Sequence, residues 1–206
     1  MSYLLPNEYV QYGLSADTTD DWTATASALI DAHCRRTTLA VAQYTQSTRL
    51  IAGSQTVRLT HLPLAVVDDA TSPLISVSVR YGVPRRGELE DLRSQIATAF
   101  SIPGSWSEID IAAVDVDFTT GELTLPCNFL GIPFNEAKVT YNAGFAEIPP
   151  PVKSACAQIV RNAQATPALN VRSSRIDTLE MQYFSGSLID ESVKLLLRPY
   201  VAERVG

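Results

Sequence analysis

Val139-Thr140-Tyr141-Asn142-Ala143-Gly144-Phe145-Ala146-Glu147-Ile148-Pro149-Pro150 changes character halfway along its length, and the fold of this chain is read from that change. Its first half closes a strand running from Ala137 to Asn142, in which apolar and polar residues alternate. Gly144 permits a backbone bend that a β-branched residue resists, and Phe145 can pack beneath the bend. The prolines then fix the entry into a helix, because a proline at the first helical position gives up only an N–H that has no intrahelical partner. Tyr141, Gly144, Phe145 and Pro149 are therefore read as a structural elbow from strand to helix.

Downstream of the elbow, Val152, Ala155, Cys156, Ile159, Val160 and Ala163 recur at helical spacing over 150–165, and Thr166-Pro167 ends the pattern. Residues 168–186 are polar and irregular and read as an extended or β-like arm. A last helix is expected over 188–204, with Leu188, Ile189, Val193, Leu196, Leu197, Tyr200 and Val201 apolar. Pro199 should kink it or start a new turn, since its ring removes a backbone donor.

Upstream, the texture between about 39 and 145 is β. Val57, Leu59 and His61 alternate with Arg58 and Thr60, and Ile75, Val77, Val79 and Tyr81 alternate with Ser76, Ser78 and Arg80. Between them, Pro63 makes Leu62–Val67 a strand edge or a turn entry. Residues 82–106 form an excursion bracketed by glycine and proline around a short helical pattern from Leu89 to Phe100. Val114, Val116 and Phe118 then alternate with Asp115, Asp117 and Thr119, and Thr120-Gly121 turns the chain into Leu123-Thr124-Leu125, a hairpin over 111–126. The first helix lies at 20–36: Asp20 or Asp21 can cap it, and Trp22, Ala26, Leu29, Ile30 and His33 share a face. Arg35 and Arg36 complement its C-terminal dipole. The expected class is α+β, a small helical core enclosing a β region.

Composition bounds the rest. The 206 residues, 46% hydrophobic and 18% charged, suit an ordinary soluble domain able to bury a core. No uncharged stretch reaches the length of about 20 apolar residues that a membrane helix needs, and Met1–Pro6 lacks the pattern of a secretory signal. Cytoplasmic synthesis is the expectation. Cys34, Cys127 and Cys156 are odd in number and widely spaced, so they read as buried small hydrophobes rather than as a metal knuckle or redox pair. A net charge of -6 opposes affinity gained by neutralising DNA phosphates.

Catalytic constellations are missing from the sequence. His33 and His61 fall in no metal-ligand spacing, and no G-x-S-x-G, G-x-x-x-x-G-K or G-x-G-x-x-G occurs. Asp110, Asp115, Asp117 and Glu122 form the densest acidic group, and carboxylates beside a hairpin can hold a divalent cation. Alternation with apolar residues makes them, more simply, the solvated face of a strand. Arg35-Arg36, Arg85-Arg86 and the pair Arg172 and Arg175 are basic clusters without the aromatic run that stacks on bases. No cofactor is expected, and the chain reads as a non-enzyme.

Three stretches resemble the head-tail connector (adaptor) family of long-tailed double-stranded DNA phages: Ile30-Asp31-Ala32-His33-Cys34-Arg35-Arg36, the segment Val57 to Leu64, and above all the V-T-Y-x-A-G-[FY]-x-x-[IV]-P block at 139–149. Leu195-Leu196-Leu197-Arg198-Pro199-Tyr200 is similar to the family's leucine-rich Pro-Tyr ending. The resemblance covers most of the chain except 83–110, which reads as an insertion. It implies one adaptor domain over 1–206 with a C-terminal docking arm at 168–206. It also implies a virion neck protein, assembled in the host cytoplasm, that forms a ring of roughly twelve copies, with the isolated subunit able to be monomeric. That ring would dock on the portal protein, pass DNA through its centre without specific binding, and offer its lower face to a stopper or tail-completion protein. Docking on the portal is carried to Leu188, Val193, Leu196, Leu197, Tyr200 and Val201. Asp115, Asp117 and Glu122 are candidates to face the channel, where negative charge repels phosphates. The rival readings are another neck component, stopper or tail-completion protein, and a small metal-binding enzyme built on the acidic group near Asp115 with His61.

Overall fold

A computed structural model describes residues 2–50, 54–67, 72–82, 105–128, 131, 134–165, 173–176, 179–182 and 188–202. The expected helical pattern at 89–100 lies outside them. The fold is α+β, with helices Asp20–Cys34 (α1), Pro150–Ala165 (α2) and Glu191–Leu197 (α3) and antiparallel sheets. The chain divides into two compact units, one from Met1–Ala40 with Glu147–Ala202 and one from Val41–Ala146. It crosses between them at Ala40–Val41 and at Ala146–Glu147, the second crossing falling inside the elbow.

The β unit contains strands Ala42–Arg49 (β1), Thr56–Arg58 (β2), Leu74–Arg80 (β3), Ser107–Ile109 (β4), Asp115–Asp117 (β5), Glu122–Thr124 (β6) and Glu136–Ala143 (β7). They form a four-stranded sheet in the order β1-β7-β3-β4 and a three-stranded sheet in the order β2-β6-β5. Strand β7 pairs with β1 on one side and β3 on the other, and every second residue, Ala137, Val139, Tyr141 and Ala143, is buried. Val57 and Leu123 from the other sheet join the same core, so the two sheets enclose one apolar interior. The 111–126 hairpin forms as β5 and β6, after a short turn at Ile111–Ala113. The segment after Pro63 takes the expected edge role: Leu64 bridges Ala143, and the Gly144 N–H donates to the Pro63 carbonyl at 2.9 Å.

One expectation in this unit changes. Ile75, expected on the buried face of its strand, is 44% exposed. The register shifts between Leu74 and Ser76, and the extra residue of such a bulge turns its side chain out of the alternation. The 83–110 insertion ends in structure that belongs to the sheet, since β4 pairs with β3 from Val77↔Ile109 to Val79↔Ser107.

Gln46 on β1 was invisible in the sequence, yet its amide satisfies four groups. Its oxygen accepts from the Thr60 N–H at 2.9 Å and from the Tyr141 hydroxyl at 3.3 Å, and its nitrogen donates to the Arg58 carbonyl and to Thr48 Oγ1, each at 3.0 Å. Tyr141 Oη in turn accepts from the His61 N–H at 3.2 Å. One amide thus gives residues 58–60 the hydrogen bonds that a neighbouring strand would supply.

In the helical unit, α1 buries Thr23, Ala26, Ser27, Ile30 and Cys34, whereas Trp22 remains 37% exposed. The expected face was rotated because Thr23 and Ser27 read as polar. Their hydroxyls donate to the Asp20 and Thr23 carbonyls at 2.9 and 2.7 Å, which lets both residues face the core. Arg35 ends the helix at φ +56, and the Arg36 N–H donates to the Asp31 carbonyl at 3.0 Å, a closure usually given to glycine. The segment before α1 adds Tyr3, Leu4, Tyr9 and Leu14 to the core. Tyr3 Oη donates to Asp31 and accepts the Leu39 N–H at 2.7 Å, Tyr9 Oη donates to Asp20 at 2.7 Å, and Lys153 pairs with Glu8 at 2.6 Å.

Helix α2 buries all six residues assigned to its apolar face. The arm contains a hairpin of Ser173–Ile176 (β8) and Leu179–Gln182 (β9), in keeping with its β-like reading. The last helix is shorter than 188–204: Asp190 caps α3 by accepting the Val193 N–H at 2.8 Å, and Pro199 opens a new, tighter turn at Arg198–Tyr200.

Replacing Gln46 by alanine leaves the Thr60 N–H and the Arg58 carbonyl without these partners. We expect a loss of about 1–3 kcal/mol in urea denaturation, with Gln46→Glu recovering only part of it because a carboxylate cannot donate.

Candidate functional site

The residues assigned to portal docking divide into two groups. Val193 and Leu197 are 0% exposed and form part of the core of the helical unit, so they have no surface to offer. Leu188, Tyr200 and Val201 are half-buried. Leu196 is 37% exposed, and Leu195, which the helical pattern passed over, is 70% exposed. The Ala202 N–H donates to the Cys34 carbonyl at 2.9 Å, tying the segment after α3 to the end of α1. Buried Asn162 reaches the Leu188 carbonyl and the Asp190 carboxylate, each at 3.3 Å. The exposed apolar surface of this helix is therefore the Leu195–Leu196 pair.

The elbow residues are placed by both of their neighbours. Tyr141 is buried and hydrogen-bonded as described, Gly144 adopts φ +133, and the Pro149 carbonyl accepts from the Val152 and Lys153 N–H groups at 3.0 and 3.2 Å. That last pair opens α2. A φ of this sign is where a side chain meets the backbone, so only glycine is unstrained there.

Asp115, Asp117 and Glu122 are exposed on β5 and β6, alternating with Val116 and Leu123, which turn toward the core. Asp117 is a turn-former: its Oδ1 accepts the Thr119 N–H at 2.7 Å and its Oδ2 the Thr120 hydroxyl at 2.8 Å. These bonds hold its carboxyl below the ordinary aspartate range. Gly121 closes the turn at φ +70, where an added Cβ would lie 2.5 Å from Leu62. Phe118 projects from this braced turn, 55% exposed.

A second cluster escaped the sequence reading because its members are far apart in the chain. On the outer face of the four-stranded sheet, the Arg80 guanidinium lies 4.5 Å and the Lys138 ammonium 5.2 Å from the centre of the Trp106 ring. Arg80 also pairs with Glu136 at 2.5 Å. Only the strand register, Ser78↔Lys138 and Arg80↔Glu136, brings these groups side by side.

His61 stacks on Tyr44 with ring centres 4.0 Å apart, and His33 sits half-buried in the last turn of α1. Among the described residues, no three histidine, cysteine, aspartate or glutamate side chains converge as metal ligands, and no helix is long and apolar enough to cross a membrane. All three cysteines are free thiols; Cys34 and Cys156 are buried as expected, while Cys127 is half-buried.

No protein-family model matches the chain, and no curated protein is significantly similar to it.

Two measurements follow from this geometry. Gly144→Ala should cost about 1–3 kcal/mol, read as a lower urea midpoint. Burial pushes the Cys34 and Cys156 thiols up to about 11, from 9.0, and burial also raises Tyr3. Because these folded-state values exceed the unfolded ones, their contribution is complete below pH 9 and is lost as pH rises through about 11. Urea midpoints should therefore fall across that window, and Cys34→Ala and Cys156→Ala should each flatten the fall.

Proposed function

We propose that this chain is a structural subunit of a phage or prophage neck. In this reading it is a ring-forming head-tail adaptor, carried in the virion after assembly in the host cytoplasm. It docks on the portal protein, extends the DNA channel, and presents a platform to a stopper or tail-completion protein. It has no catalytic role. The observation that carries the reading is the Val139–Pro149 block, on which the resemblance rests. Its tyrosine is buried, its glycine takes a conformation that other residues resist, and its last proline heads α2. Tyr141, Gly144 and Pro149 thus each have a physical reason to be where they are.

The acidic balance of the chain, -6 overall, supports DNA passing without retention, because like charge raises the energy of phosphates near the surface. Docking falls to Leu195 and Leu196, since exposed apolar side chains on an otherwise covered helix lose water contact when a partner closes over them. A second reading, as a stopper or tail-completion protein, is favoured by one observation: the larger unit is an antiparallel β structure of two sheets around one core.

Removing residues 187–206 is a poor test, because it strips Val193, Leu197 and Ala202 from the core of the helical unit. Leu195→Asp combined with Leu196→Asp should instead keep the unfolding free energy from urea denaturation within about 0.5 kcal/mol of the parent's and abolish co-sedimentation with portal-containing capsids. Undiminished binding by this variant refutes the docking assignment. A parent chain that binds tails but not capsids without a bound adaptor supports the second reading.

A further inference from the structure

We propose that copies of this chain associate head to tail, the acidic, Phe118-tipped outer face of the three-stranded sheet in one copy seating on the Trp106 face of the four-stranded sheet in the next. The inference takes its setting from the ring reading above, while its chemistry stands on the two faces alone.

The two sheets share one core, so each turns an outer face of its own away from it. On the first face, Asp115, Asp117 and Glu122 outnumber the one cation in their rows, Arg58, which stands opposite Glu122. The second carries Arg49, Arg80 and Lys138 against Glu136 and Glu108. In a chain of net charge -6, the second face thus carries more cations than anions around an aromatic ring. Opposite charge favours this pairing over contact of either face with itself, where like charges meet.

The tip is built to be a contact. Asp117, Thr119, Thr120 and Gly121 brace the turn by the bonds given above, so Phe118 is presented without further ordering, and a preorganised aromatic loses little entropy on burial. Its acidic flanks disfavour DNA and anionic lipid as occupants and favour a cationic protein surface. Trp106, with Arg80 and Lys138 against its ring, offers such a surface, and aromatic and arginine side chains are the groups that most often anchor interfaces. A contact between two different faces of one molecule is heterologous, and it generates a ring when the rotation per copy closes on itself. This assignment moves Asp115, Asp117 and Glu122 from the channel wall to the junction between subunits.

The test uses the purified full chain in sedimentation velocity over a concentration series. Asp115 and Lys138 make suitable probes because both are surface positions outside the core. The parent should self-associate, less so at high salt. Phe118→Ser, Asp115→Lys and Lys138→Glu should each weaken association by about tenfold. Mixing the Asp115→Lys and Lys138→Glu chains should restore it, since each junction then joins opposite charges, and the doubly substituted chain should associate by itself. A parent that stays monomeric at the highest attainable concentration overturns the proposal, whereas the neck reading, which allows a monomeric free subunit, stands apart from that result. Single variants that associate like the parent, or a mixture that fails to recover, also overturn the proposal. Portal co-sedimentation is read separately, so failure of the neck assignment and failure of this contact give different results.

Discussion

The β unit depends on one amide. Gln46 holds the backbone of residues 58–60 against β1 and meets the hydroxyl of Tyr141, so a single side chain joins an edge strand, a central strand and the segment leading out of β2. Its four partners use both donors and both acceptor sites of the group, which makes the arrangement specific as well as favourable. If it is lost, the polar backbone at 58–60 must find water at the margin of the apolar core. Tyr141 then loses its bond to Gln46 and keeps the one from the His61 N–H, and it lies three residues before the glycine that turns the chain toward α2.

The helical unit uses the same device with different groups. Phenol hydroxyls of Tyr3 and Tyr9 bind Asp31 and Asp20 on α1, and Thr23 and Ser27 return their hydroxyls to the helix backbone. The polar atoms of these four residues therefore find partners close by, so their rings and methyl groups can fill the core with those atoms paired. Asn162 does likewise between α2 and the cap of α3. Both units are small, and in each a few satisfied polar side chains specify which apolar surfaces meet.

Much of this was legible from periodicity. The boundaries of α2, the buried row Val77, Val79 and Tyr81, the hairpin of β5 and β6, and the edge role of Pro63 follow from spacing and turn chemistry, which are local properties. What escaped the reading is non-local or chemically disguised. Strand β1 reads Ala42-Gln43-Tyr44-Thr45-Gln46-Ser47-Thr48-Arg49 and lacks apolar alternation, because its inward positions carry Tyr44, Gln46 and Thr48 and derive their stability from hydrogen bonds and ring contacts. The face of α1 was misjudged for the same reason at Thr23 and Ser27. Exposure of Leu195 beside buried Leu197 depends on which side of a short helix meets α2, and a run of three leucines does not encode that. The Trp106 cluster needs a strand register that no local pattern contains.

The order in which the two units can form follows from where the chain crosses between them. The helical unit is assembled from both sides of the β unit: α1 precedes it, α2 and α3 follow it, and the Ala202 N–H closes on the Cys34 carbonyl across almost the whole chain. During synthesis, residues 41–146 are complete before α2 has left the ribosome, whereas α1 must wait for partners more than 100 residues downstream. Until then Ile30, Ala26 and Cys34 have no helix to pack against, and closing so long a loop is slow as well as entropically costly. The folded β unit shortens that loop by holding Val41 and Ala146 in one compact body. The β unit lies in sequence between the two parts of the helical unit, so it is the first of the two whose residues are all synthesised.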